Sequence, residues 1–83
     1  MTRSKWFLHQ GRPFEVRDVR VVTSFQIWVY ENERPLAQHS AVPLSDVIAG
    51  AALGKDVLNG AMEVAVRDVQ AGRFRTAPSS MAG

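Results

Sequence analysis

The sequence predicts an α+β domain in which an antiparallel sheet of three to four strands, built from N-terminal β-hairpins, packs against two C-terminal helices. Three observations carry that expectation. Residues 19–30 alternate with period two, polar and Pro/Gly-bearing stretches punctuate the first half as turns do, and the period changes after Pro43.

In residues 19–30, Val19, Val21, Thr23, Phe25, Ile27 and Val29 share one side of an extended chain, and Arg20, Val22, Ser24, Gln26, Trp28 and Tyr30 the other. The β-branched and aromatic residues throughout suit a single long strand with its odd face on the core. Glu31-Asn32-Glu33-Arg34 then reads as a hairpin turn, followed by a strand over Leu36 to Val42 with Pro35 at its first residue, where a missing amide hydrogen is tolerated. Upstream, Lys5 to His9 and Phe14 to Val16 form a further hairpin around Gln10-Gly11-Arg12-Pro13. Phe14 and Val16 are even-numbered and the expected core face of the long strand is odd-numbered, so a bulge or bend at Arg17-Asp18 is expected to restore the phase.

Beyond Pro43, Ser45 is placed as the cap of a short helix over Asp46 to Leu53, with Gly54 at the left-handed position after it. The small residues Ala49, Gly50, Ala51 and Ala52 permit close approach of another backbone. Asp56 caps a longer helix, Val57 to Ala71, stopped by Gly72. Asp56, Gly60, Glu63, Arg67 and Gln70 form its polar stripe, and Leu58, Met62, Ala65 and Val69 its apolar one. The alternation Met-Glu-Val-Ala-Val-Arg over 62–67 offers a competing strand, outweighed by the longer stripe and the two caps. The domain is thus expected to occupy residues 1–72, with 73–83 as a flexible tail.

Eighty-three residues, 46% hydrophobic and 22% charged, suffice for one core. A domain this small buries only about 60% of its unfolded surface, so a homodimer is a natural way to add stability. The absence of cysteine removes disulfides, thiolate nucleophiles and sulfur-based zinc sites. No apolar stretch is long enough to span a membrane and the start is too polar for a signal-peptide core, which leads us to expect a cytoplasmic protein that makes no membrane contact.

His9 and His39 fall on different expected strands without ligand spacing, and no serine sits in a nucleophile-elbow or phosphate-loop pattern. Neither a catalytic residue, a metal ligand nor a cofactor site is assigned, and the chain is expected not to be an enzyme. Its expected partner is another protein, met by the second face of the long strand through Arg20, Val22, Gln26, Trp28 and Tyr30, or by strand addition at an open sheet edge. The competing cover for that face is the N-terminal hairpin with Trp6 and Phe7.

Nucleic acid is the alternative partner. The formal charge is only +2, and Glu15, Asp18, Asp56, Glu63 and Asp68 are interspersed among the arginines. The order strand, helix, helix over Leu36 to Val42, Asp46 to Leu53 and Val57 to Ala71 is similar to ribbon-helix-helix DNA binders, which imply a dimeric repressor. This strand departs from that pattern in carrying neither Arg nor Lys, and the long strand before it has no place there.

With its short chain, its hairpin followed by Ala-rich helices and its Arg- and Val-rich vocabulary, the sequence also resembles small phage-encoded proteins that disable host machinery, such as anti-CRISPR proteins and inhibitors of the type IV pilus assembly ATPase. That resemblance implies a phage protein acting as an inhibitor by stoichiometric binding to a host protein.

Overall fold

The computed structural model describes residues 3–74. Four strands, β1 (Ser4–His9), β2 (Arg12–Arg20), β3 (Ser24–Glu31) and β4 (Arg34–Pro43), are followed by two helices, α1 (Leu44–Ala52) and α2 (Val57–Gln70). The strands form one antiparallel sheet in the order β1-β2-β3-β4, so the α+β class and the four-stranded sheet stand as expected. Each strand neighbours in space the one it neighbours in sequence.

The first and third turns are two-residue loops whose central residues all take positive φ: 55° at Gln10 and 76° at Gly11, 53° at Asn32 and 68° at Glu33. Such loops twist with the same hand as the strands they join, which keeps the hairpins flat on the sheet. In the second turn the Val21 amide donates to the Ser24 carbonyl at 2.9 Å. This corrects the expected single strand over 19–30: it is the end of β2, a turn at 21–23, and β3. It also removes the need for a bulge at Arg17-Asp18. Val16 pairs with Val29 and Asp18 with Ile27, so even residues of β2 and odd residues of β3 already share a face.

That face carries the core. Phe14, Val16, Ile27, Val29 and Val42 meet Leu58, Met62, Ala65 and Val69 of α2, all buried. Each fully buried aliphatic side chain contributes about 1.5–3 kcal/mol relative to exposure. The apolar stripe of α2 is the one its spacing predicts, and the competing strand over 62–67 is a helix throughout. Val19 and Val21, expected in this core, are outside it: Val19 pairs with Gln26 on the opposite face, and Val21 lies in the exposed turn.

Both helix starts are satisfied, one of them differently from expectation. Asp56 accepts from the Asn59 amide at 3.0 Å, a side-chain cap on α2. α1 begins at Leu44 rather than Asp46, and Pro43, not Ser45, stands at its cap without a side-chain bond. The Leu44 amide instead donates to the Thr23 carbonyl in the β2–β3 turn at 2.9 Å, so the sheet supplies the first acceptor. Gly50 is buried where a Cβ would collide with a methyl of Val57, and the Lys55 amide donates to its carbonyl at 2.8 Å. This is the close approach that the small residues of α1 foreshadow.

Two residues of the expected tail, Arg73 and Phe74, contact the rest of the domain. Arg73 reaches Asp68, and the Phe74 ring lies 5.3 Å from that of His39. Residues 75–83, the rest of that expectation, lie outside the described residues. Among the described residues no helix is long and apolar enough to cross a membrane.

Candidate functional site

The helices cover one face of the sheet, and the side chains on the other face are assigned by register. Glu15 pairs with Trp6 on β1 and Tyr30 on β3, Arg17 with Trp28, and Val19 with Gln26. Trp28 in turn pairs with Gln38 on β4. Directly opposed residues point to the same side, so Trp6, Glu15, Arg17, Gln26, Trp28, Tyr30 and Gln38 make one surface.

Two side-chain contacts shape it. The Arg17 guanidinium carbon lies 4.1 Å from the centre of the Tyr30 ring, a cation stacked on an aromatic face. The Trp28 indole donates to Gln26 Oε1 at 2.9 Å, two residues back along the same face, which holds the ring in place. Trp6 at the margin is 58% exposed, and Trp28 and Tyr30 are half-buried by their neighbours.

Glu15, at the centre, is only 4% exposed. Its Oε1 sits 2.8 Å from Arg17 Nη2, near enough for strong attraction but off line for a hydrogen bond, so among the described residues this buried oxygen has no hydrogen-bond partner. Arg17 also reaches Glu33 at 3.2 Å. The polar contact with Glu15, opposed by partial burial and aided by Glu33, holds the Arg17 guanidinium more firmly protonated than an ordinary arginine.

The five residues expected from the sequence divide accordingly. Gln26, Trp28 and Tyr30 are together on the uncovered face. Arg20 is not with them: it pairs with Phe25, its guanidinium carbon is 5.6 Å from that ring's centre, and it lies on the helix side. Val22 is 89% exposed at the β2–β3 turn rather than on a strand face. Both depart for the same reason, because the turn at 21–23 reverses the chain and changes which parity faces which side. The competing cover is not formed: among the described residues the N-terminal hairpin extends the sheet sideways as β1 and β2 and does not fold over Trp28. Trp6, Glu15 and Arg17 were not expected on this surface. Glu15 and Arg17 are odd residues of β2 and Trp6 an even residue of β1, and only the hairpin registers reveal that they share a face with the even residues of β3.

Elsewhere, His39 is tied to α2. Its Nε2 and Asp68 Oδ2 are hydrogen-bonded at 2.9 Å, and its Nδ1 and the Ser40 hydroxyl at 2.9 Å. Arg73 donates to the other Asp68 oxygen at 3.0 and 3.2 Å. His39 is the first polar contact of this carboxyl and Arg73 the second, and together they hold its pKa below the ordinary 3.8. Asp56 is likewise lowered, by the Asn59 amide first and then by Arg3, which grips it through two bonds of 2.8 and 2.7 Å. No group of three or more potential metal ligands is clustered among the described residues. No family model matches the chain, and neither a curated protein nor a solved structure matches it.

Proposed function

We propose that this chain is a non-enzymatic interaction protein that captures another protein on the uncovered sheet face around Arg17, Trp28 and Tyr30. The observation that carries the reading is the composition of that face: two tryptophans, a tyrosine and an arginine stacked upon it, the residue types that dominate binding energy in protein interfaces. Gln26 and Gln38 give it a polar surround, and the rigid strands beneath it reduce the ordering cost of binding. Inhibition of the captured protein is the form of action that the likeness to phage-encoded inhibitors implies.

The charge arrangement favours a protein partner over nucleic acid. Arg3, Arg12, Arg17 and Arg73 are engaged by Asp56, Glu31, Glu15 with Glu33, and Asp68 respectively, which removes cations that phosphates would need.

The test is quantitative binding to the partner first identified by affinity capture and then purified. Replacing Trp28 and Tyr30 together by alanine weakens binding by about 100-fold or more, the effect of losing two hot-spot side chains. Ile48→Ala, an exposed change on α1, leaves it unaltered. Equal affinity for the double variant and the native chain, with circular dichroism unchanged, would discard this surface.

A further inference from the structure

The two edges of the sheet differ in how they are protected. β4 contains Pro35 and Pro43, which donate no amide hydrogen, and its pairing with β3 skips Leu36 and His39, two bulges that twist the edge. β1 has neither device. It pairs with β2 residue for residue from Ser4 to His9. The Asp18 amide donates to the Arg3 carbonyl at 3.3 Å, and alternation from there turns the backbone groups of Lys5, Phe7 and His9 toward β2. The amides and carbonyls of Ser4, Trp6 and Leu8 therefore point out of the sheet. On this same edge Trp6 is 58% and Leu8 68% exposed. Lys5, the one lysine of β1, points to the helix side and does not guard the rim.

We infer that β1 pairs antiparallel with β1 of a second copy of this chain, joining two sheets into one of eight strands. The outward amides fix which registers are allowed, and the apolar residues choose between them. A two-fold axis perpendicular to the sheet beside Phe7 sets Trp6 opposite the partner's Leu8 and Leu8 opposite the partner's Trp6. Centring on Trp6 would instead leave Leu8 against the partner's Ser4. Both pairs lie on the uncovered face, where each covers apolar surface that the monomer leaves in water.

Charge on the helix side completes the match. A groove of about 540 Å³ runs between β1 and α2, lined by Lys5, Trp6, Glu63, Val66, Arg67 and Gln70. The same axis sets α2 antiparallel to its copy across the two grooves. Glu63 and Arg67, one turn apart on that stripe, then face a copy that presents the two signs in reversed order.

This inference stands on the strand edge and shares only Trp6 with the partner surface proposed above. Light scattering of the native chain over a dilution series should give twice the 9.2 kDa chain mass at high concentration and the single mass on dilution. Hydrogen exchange on the same series should protect the Trp6 and Leu8 amides only where the mass is doubled. Leu8→Lys, at an exposed position, should remain monomeric with an unchanged circular dichroism spectrum, and the Trp28→Ala, Tyr30→Ala double variant should still dimerise. A single mass at every concentration, or a dimer indifferent to Leu8→Lys, would overturn the pairing. So would edge amides protected in the monomer, which would assign the edge to another segment of this chain, or a dimer lost in the double variant, which would put the contact on the open face.

Discussion

The two faces of the sheet are built from the same strands and are held by different physics. On the helix side, Val16, Ile27 and Val29 are wholly buried against Met62 and Ala65, and stability comes from removing apolar surface from water. On the other side the most buried residue is a carboxylate, Glu15, kept in place by a cation that itself lies on an aromatic ring. Under α2 the helix side is closed, and the groove beside β1 remains open. The opposite side holds its aromatics half-covered, and Oε1 of its central carboxylate has no hydrogen-bond partner among the described residues.

The contrast is broken most forcefully on the helix side. Met62→Ala leaves a cavity under the centre of the sheet and costs about 2–5 kcal/mol, read as a lowered urea midpoint at unchanged slope. A cost below that range would mean that α2 collapses onto the strands and that the helix side is not close-packed.

The uncovered side is sharpened by a pair of substitutions. Arg17→Ala strands a buried carboxylate and costs about 1–3 kcal/mol. Replacing both members, Arg17→Met with Glu15→Leu, removes the unpaired charge and recovers most of that loss. If the double variant is as unstable as the single one, stacking on Tyr30 rather than the Glu15 contact is what holds this face.

The smallest effect is electrostatic, at the rim of the helix side. Because His39 and Arg73 lower the pKa of Asp68 in the folded chain, the ionised carboxyl favours folding above its ordinary value of 3.8, and that contribution is lost as pH falls through the lower folded value. Asp68→Asn should therefore flatten the acid limb of the stability curve, followed by thermal melts at successive pH values. Asp56, shifted the same way, remains to give the variant a residual slope.

What was legible in the sequence follows the same division. The core of α2 could be read outright, because helical spacing alone places Leu58, Met62, Ala65 and Val69 on one stripe whatever they pack against. The β2–β3 turn could not, since Val21, Val22 and Thr23 are β-branched and continue the strand vocabulary through a reversal that has no Gly, Pro or Asn. That one turn decides which side Arg20 faces, places Val22 on a loop, and brings Arg17 opposite Trp28. Half of the candidate surface was visible as Gln26, Trp28 and Tyr30, which are consecutive alternate residues of β3. The other half, Glu15 and Arg17, is joined to it only by pairing across the sheet. The two bulges in β4 were equally hidden, although the one at His39 is what turns it toward Asp68.

The order of the elements also bears on how the chain is made. Every hairpin of the meander can close as soon as its second strand leaves the ribosome, yet the layer that shelters Val16, Ile27 and Val29 arrives last, with residues 57–70. During synthesis a finished sheet thus waits with its oily side bare, and a nascent chain stalled before Val69 would be a ready client for chaperones.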